Sequence, residues 1–403
     1  MKKCILFVDD ESNVLQGLKR MLRSQRHEWD MEFADSGEAA LALLQEQAFD
    51  AVISDMRMPG MDGAQLLEEV KQLYPDSVRF VLSGHSDREL VMRSVGPSHQ
   101  YLAKPCDPEV LKSALTEAFA LRRLLATDSL RALVAGMTSL PSLPSIYCEV
   151  VEELQSEDAS IQELGKLIEQ DPGMVAKVLQ LVNSAYFGIG RQISNPAEAA
   201  SFLGMDVLKC LVLSEGVFSQ FDDVVVQAVP LEKMKNRSLV VANAAREIAR
   251  SAGADAKILD QAYLGGLLHD MGTLVMISNA PDDYMRAIDL ARKEQIDMLD
   301  AELEVFGTTH AEVGAYMLGL WGIDDDVVAA VAYHHRPGNF PATGFCALTA
   351  VYVANACVRD DLESGDEPVF SEGDMEFLAG MGLAERLPEW QALCVPPEEE
   401  DAA

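Results

Sequence analysis

A chain of 403 residues is too long for one ordinary core, since domains cluster near ~100 to 150 residues, and at least two are expected. Hydrophobic residues at 49% and charged residues at 24% supply ample apolar material to bury, which excludes a disordered chain. With 32 Lys+Arg against 65 Asp+Glu the net charge is −33, which repels phosphate backbones and anionic lipid, so neither direct nucleic acid nor membrane is expected as a partner.

The seven cysteines, Cys4, Cys106, Cys148, Cys210, Cys346, Cys357 and Cys394, lie mostly in apolar runs without zinc-site spacing or disulfide density. They read as small core residues in a reducing compartment. The opening apolar stretch is cut by Asp9 and Asp10, too early for an export signal. Phe345 to Val358 and Ala262 to Ala280 fall short of the ~20 clean apolar residues of a membrane span. A cytoplasmic location is the expectation.

From residue 4, β-type runs alternate with helical patterns. Ile5 to Val8, Met31 to Ala34, Ala51 to Ser54, Phe80 to Leu82 and Tyr101 to Ala103 are the predicted strands, with Val14 to Ser24 and Gly63 to Leu73 among the predicted helices. This βα repeat predicts an α/β doubly wound, five-stranded parallel sheet. Reactive groups in such sheets gather at the carboxyl ends of the strands, where Asp9, Asp10, Asp55, Ser83 and Lys104 fall. Converging carboxylates repel unless a hard cation joins them, and Mg²⁺ fits an all-oxygen set. Such an ion would neutralise a phosphoryl group arriving at Asp55, with the Lys104 ammonium and Ser83 hydroxyl gripping its oxygens. One such residue alone would read as a helix cap or surface cation; four at successive strand ends read as a site.

Phe7-Val8-Asp9-Asp10-Glu11, Ser54-Asp55-Met56-Arg57-Met58-Pro59-Gly60-Met61-Asp62-Gly63, Leu82-Ser83-Gly84 and Lys104-Pro105 resemble the receiver domain of two-component response regulators over residues 1–121. The resemblance implies a flavodoxin-like fold in which Asp55 is phosphorylated by a histidine kinase or phosphotransfer protein. It also implies Mg²⁺ ligation by Asp9 or Asp10, Asp55 and the Arg57 backbone carbonyl, a cis Lys104-Pro105 peptide, and switching through Ser83 and Tyr101. A phosphorylation-dependent homodimer is a further implication.

Asp107-Pro108-Glu109 opens a helix that is expected to run on as a connector over 122–139. The pattern breaks around Leu140-Pro141-Ser142-Leu143-Pro144, where a second, all-α domain begins and extends to about residue 360. Asp171-Pro172-Gly173 starts one of its helices. Others are predicted at Val240 to Ile248, Leu264 to Ile277, Ala311 to Leu318 and Val327 to Tyr333, with no persisting strand alternation. His269-Asp270, His310 and His334-His335 fall here. Brought together by packing, they could bind a metal and polarise a phosphoester; a lone His would more often be a neutral core or surface residue.

This half resembles the HDOD domain, a regulatory relative of the HD-type metal phosphohydrolases, over roughly 140–345. Leu140-Pro141-Ser142-Leu143-Pro144, Leu181-Val182-Asn183-Ser184-Ala185-Tyr186-Phe187, Ile193-Ser194-Asn195, Leu203-Gly204 and Gly266-Leu267-Leu268-His269-Asp270-Met271-Gly272 carry the likeness. Matched by pattern, Arg237 stands where a catalytic HD domain has its first histidine and Asn355 where it has its last aspartate. An Arg cannot ligate and is expected to pair with Asp270, while Asn355 removes another negative charge. Thr273 stands where cyclic-dinucleotide phosphodiesterases of the HD-GYP type carry a lysine. No metal is therefore expected in this domain, whose expected role is a non-catalytic protein-interaction output with an unspecified protein target. The alternative is a metal-dependent phosphodiesterase of the HD superfamily regulated by the receiver. A transcription factor is disfavoured by charge. The acidic end, 361–403, reads as a short amphipathic helix around Met375 to Leu378 and a solvated tail.

Overall fold

The computed structural model describes residues 2–75, 77–83, 98–124, 140–141, 144–156, 159–184, 187, 191–213, 218–219, 229–341, 344–358, 370 and 372–394. Most of the expected connector, Gly84, Ser142, Leu143, Ala185, Tyr186 and both ends of the acidic tail lie outside them.

The amino-terminal half is the five-stranded parallel sheet that the βα repeat predicts. Its strands β1 (Lys3–Val8), β2 (Trp29–Ala34), β3 (Ala51–Asp55), β4 (Val78–Ser83) and β5 (Gln100–Ala103) lie in the order β2-β1-β3-β4-β5. The central strands are buried throughout because helices cover both faces of a doubly wound sheet, so runs such as Val52-Ile53 and Phe80-Val81-Leu82 need no polar alternation. Each strand begins earlier than its apolar run or ends later, and β3 and β4 take in Asp55 and Ser83 as their final residues. Helix α1 (Ser12–Met21) is shorter than expected, since Leu22–His27 tightens into a 3₁₀ turn. Helices α2 (Gly37–Glu46) and α3 (Gly63–Leu73) follow β2 and β3, and α3 opens on a capping box between Asp62 and Gln65. Helix α4 (Pro108–Leu124) closes this half.

The second half is helical as expected, with one short two-stranded parallel pairing of β6 (Leu140–Pro141) with β7 (Phe218–Ser219) beside the helices. Helices α5 (Pro144–Gln155), α6 (Ile161–Ile168), α7 (Pro172–Val182) and α8 (Pro196–Leu213) pack together. Next come α9 (Leu231–Ser251), α10 (Ala256–Leu268), α11 (Met271–Asn279), α12 (Pro281–Glu294), α13 (Met298–Phe306), α14 (His310–Leu320), α15 (Asp325–Tyr333) and α16 (Ala347–Cys357). The single helix predicted from Leu264 to Ile277 is in fact two, with His269 and Asp270 at the break between α10 and α11. The apolar periodicity runs through that break because both helices are buried.

Two further readings are corrected. Cys148 is exposed, outside any core. In the carboxyl-terminal segment α17 (Glu372–Gly380) contains the short helix expected around Met375 to Leu378, but α18 (Leu387–Leu393) folds where a solvated tail is expected. Trp390 is fully buried in a second apolar cluster with α9 and α16, and its indole N–H donates to Ser251 Oγ at 2.9 Å.

The two halves touch along β5. The Gln180 amide donates to the His99 carbonyl at 2.7 Å, and the Gln100 amide donates to the Leu320 carbonyl at 3.2 Å. Behind this seam Lys177, 4% exposed, donates to Gln180 Oε1 at 2.9 Å and lies 4.7 Å from the centre of the Trp321 ring.

Candidate functional sites

In the sheet, the register pairs Val8 with Ser54, Ser54 with Val81 and Ser83 with Ala103. Asp9, Asp55, Ser83 and Lys104 consequently emerge at one edge. The Lys104 ammonium donates to Asp9 Oδ2 at 2.6 Å and pairs with Asp55 Oδ1. Asp9 Oδ1 accepts the Glu11 N–H at 2.9 Å, and Asp55 Oδ2 accepts the Arg57 N–H at 3.0 Å. Asp9, Asp55 and Ser83 are buried, while Asp10 is exposed. Burial raises the Asp55 carboxyl above its ordinary value, against the opposing pull of Lys104. Burial lowers Lys104, but its hydrogen bonds to Asp55 and Asp9 outweigh that, and its net shift is upward. Gly63 lets α3 start against this edge: a Cβ there would meet the Asp55 carbonyl oxygen at 2.1 Å.

One oxygen from each of Asp9, Asp10 and Asp55 lies within 4.8 Å of the others, and a purely carboxylate donor set fits a hard divalent cation such as Mg²⁺. Tyr101 is buried at 1% exposure on β5, and the Lys104-Pro105 peptide is cis.

The second site forms where α9, α11, α14, α15 and α16 converge. A Cβ on Gly272 would meet the His310 carbonyl at 1.9 Å and the Gly314 nitrogen at 2.7 Å. Only glycine allows α11 to approach α14 so closely, and this approach carries His310 to Asp270. Asp270 uses its two oxygens on two sides. Oδ2 accepts from Arg237 Nη1 at 3.1 Å and lies 3.0 Å from His269 Nε2; Oδ1 lies 3.4 Å from His310 Nε2 and 3.8 Å from His334 Nε2.

Arg237 fills the first side. Its guanidinium donates to His269 Nε2 at 2.7 Å and to Asn355 Oδ1 at 2.6 Å as well as to Asp270. His269 Nδ1 lies 2.7 Å from the Gly266 carbonyl, which can only accept, so Nδ1 carries the proton and Nε2 is free to take the arginine's. The guanidinium contacts atoms from the three positions that match the HD ligands left around it, with a fixed positive charge.

The other side gathers His310, His334 and His335. His310 Nδ1 lies 2.9 Å from a carboxylate oxygen of Glu302, which also accepts the His310 backbone N–H at 2.8 Å. Glu302 was not a sequence candidate; it sits in no motif, and its role rests on being a fully buried carboxylate beside His310. Burial opposes the Asp270 charge, yet His269, Arg237 and His310 hold its carboxyl well below the usual range. Burial and the neighbouring rings hold His334 well below the ordinary histidine value, and His335 falls to about 3. Thr273 is buried on α11.

The family profiles match in two blocks, the response regulator receiver domain over residues 5–116 and the HDOD domain over residues 140–337. An uncharacterized protein of Treponema pallidum is 28% identical over 239 residues, covering 58% of this chain and 45% of that protein. The hydrogenase transcriptional regulatory protein HoxA of Bradyrhizobium diazoefficiens is 36% identical over 124 residues, covering 30% of this chain and 24% of that protein. The chain thus spans less than half the length of either relative. Among solved structures, the signal receiver domain of an HD domain-containing protein from Pseudomonas fluorescens is 34% identical, covering 30% of this chain and 96% of that one at a TM-score of 0.29. An HDOD domain protein from Geobacter sulfurreducens is 24% identical, covering 66% and 96% at a TM-score of 0.37.

Proposed function

We propose, for a chain that belongs to the two-component response regulators and joins a receiver domain to an HDOD domain, that phosphorylation of Asp55 governs the HDOD half as a non-catalytic protein-interaction output. The observation that carries this reading is Lys104 bridging Asp9 and Asp55 at the carboxyl edge of the sheet. A carboxylate oxygen of Asp55 attacks the phosphorus of a phosphohistidine on a kinase or phosphotransfer protein; the phosphorus–nitrogen bond breaks, and the imidazole leaves with that electron pair. Lys104 faces the charge carried by the transferred group, and Ser83 lies alongside it on β4. A Mg²⁺ ion held by Asp9, Asp10 and Asp55, with the Arg57 carbonyl, would supply further neutralisation when bound.

The seam along β5 supports coupling between the halves. His99 and Gln100, which bond the helical domain, stand at the entry of β5, just ahead of Tyr101 and within five residues of Lys104 at its exit. The guanidinium of Arg237 between His269, Asp270 and Asn355 supports an HDOD half that does not hydrolyse phosphodiesters, because it sets a fixed charge where a hydrolytic cation would have to sit.

Incubation with Mg²⁺ and acetyl phosphate is expected to add one phosphoryl mass to the peptide containing Asp55, and Asp55→Ala is expected to abolish it. Affinity capture with the phosphorylated chain should then recover partners in different amounts from the Asp55→Ala chain. Phosphorylation on another residue would overturn the acceptor assignment, and identical recoveries would overturn the coupling.

A further inference from the structure

We propose that Asp270, His310, His334 and His335 form a four-ligand site for a single borderline divalent cation of the Zn²⁺ class, on the side of Asp270 opposite Arg237. This reverses the expectation of a metal-free helical half, which rested on Arg237 and Asn355. Those two residues block only the side of Asp270 that carries Oδ2.

One donor atom from each of the four residues lies within 4.8 Å of the other three. His310 Nε2 is 3.1 Å from His335 Nε2 and 3.4 Å from Asp270 Oδ1, which is 3.8 Å from His334 Nε2. A tetrahedral Zn²⁺ with bonds of about 2.0 to 2.1 Å sets its ligand atoms about 3.4 Å apart, and the three separations bracket that spacing. Three imidazoles and one carboxylate oxygen are a borderline donor set, which disfavours Mg²⁺ or Ca²⁺.

The hydrogen bonds behind the ligands aim the correct nitrogens inward. His334 Nδ1 lies 2.7 Å from the Val331 carbonyl. That oxygen can only accept, so Nδ1 holds the proton and Nε2 presents its lone pair to the cluster. His334 is fully buried, and this Nε2 has no hydrogen-bond partner, an arrangement with a desolvation cost unless an ion takes the lone pair. The Glu302 carboxylate, likewise acceptor-only, holds the proton of a neutral His310 on Nδ1, the carboxylate–histidine pairing that orients metal-bound imidazoles and raises their basicity. Glu302 also supplies a buried negative charge that offsets Arg237. His335 is exposed and lines a cleft of about 910 Å³ with Thr309, Glu312 and Arg336, which gives an ion access from solvent. Four protein ligands close the tetrahedron and leave no place for a reactive water, the pattern of a structural rather than a hydrolytic zinc.

The test uses the full chain, stripped with a chelator, dialysed, and held in excess Mg²⁺ to fill the receiver site. Titration with Co²⁺ is expected to give visible d–d bands of tetrahedral intensity that saturate at one equivalent and are bleached by Zn²⁺. His335→Ala, which changes an exposed residue and should leave the circular dichroism intact, is expected to weaken Co²⁺ binding by at least about tenfold. Asp55→Ala is expected to leave the bands unchanged. Absence of the bands, bands indifferent to His335→Ala, or bands lost in Asp55→Ala would each overturn the proposal. None of these outcomes depends on whether Asp55 is phosphorylated.

Discussion

Lys104 holds together two carboxylates that would otherwise repel at close range. Its ammonium touches Asp9 and Asp55 at once, and the hydrogen bonds behind them, from Glu11 and Arg57, leave each carboxylate little freedom to turn away. Replacing this cation with the near-isosteric Lys104→Met is expected to destabilise the receiver half by about 1 to 3 kcal/mol, the loss of hydrogen bonds to charged groups. Because Mg²⁺ at the proposed site would draw on the same carboxylates, it should raise the melting temperature of the variant more than that of the parent chain. Thermal melts with and without Mg²⁺ check this, and an equal Mg²⁺ effect in the two proteins would mean that Lys104 and the ion do not share ligands. At Arg237 the logic is inverted. One guanidinium contacts His269, Asp270 and Asn355, and a side chain supplies the positive charge that a metal supplies elsewhere.

At the scale of elements, what could be read in the chain depends on whether a local pattern changes where the structure does. The strands of the receiver half are legible because each β-type run ends on a charged or hydroxyl residue, as at Val8-Asp9 and Leu82-Ser83, and burial on both faces makes the central runs nearly continuously apolar. The candidate residues at their ends were legible for the same reason. The break between α10 and α11 was not, since Leu264 to Ile277 keeps a helical period across His269 and Asp270, and the cause of the break is tertiary: Gly272 packs on His310 from a distant helix. The gathering of His310, His334 and His335 around Asp270 depends on that same approach, as does the part played by Glu302, which no spacing announces. Helix α18 was hidden by its acidic surroundings. Trp390→Ala there removes a fully buried indole and its bond to Ser251, and is expected to cost about 3 to 5 kcal/mol. Chemical denaturation measures that loss, and a change near zero would show that α18 does not contribute to the core of α9 and α16.

Across the whole molecule, the contact between the two domains contains a titrating group. Burial, with a smaller contribution from Lys71, lowers the Lys177 ammonium from 10.5 to about 7, while the unfolded chain keeps the ordinary value. From pH about 7 up to 10.5 the unfolded chain therefore binds a proton that the folded one lacks, and stability rises with pH across that window. Below it, the folded protein bears the full cost of a buried charge. Lys177→Met, which keeps the packing on Trp321 and removes the charge, should abolish this part of the slope. Melting temperatures of both proteins over that range provide the check, and parallel curves would show that Lys177 does not titrate on folding. Since Lys177 also holds Gln180, and Gln180 holds the receiver's His99 carbonyl, the proton count at one lysine is tied to how firmly the halves adhere.

The division of Asp270 between two sides has a consequence for selectivity. With Oδ2 committed to Arg237, the carboxylate cannot swing round to clasp an ion with both oxygens, so a visiting cation finds one oxygen among nitrogens. Abundant magnesium, which demands oxygen on nearly every side, gains nothing there, whereas the receiver edge offers it nothing but oxygen. With the proposed site filled, a single polypeptide would sort two kinds of cation by donor chemistry alone, and the supply of one need not disturb the other.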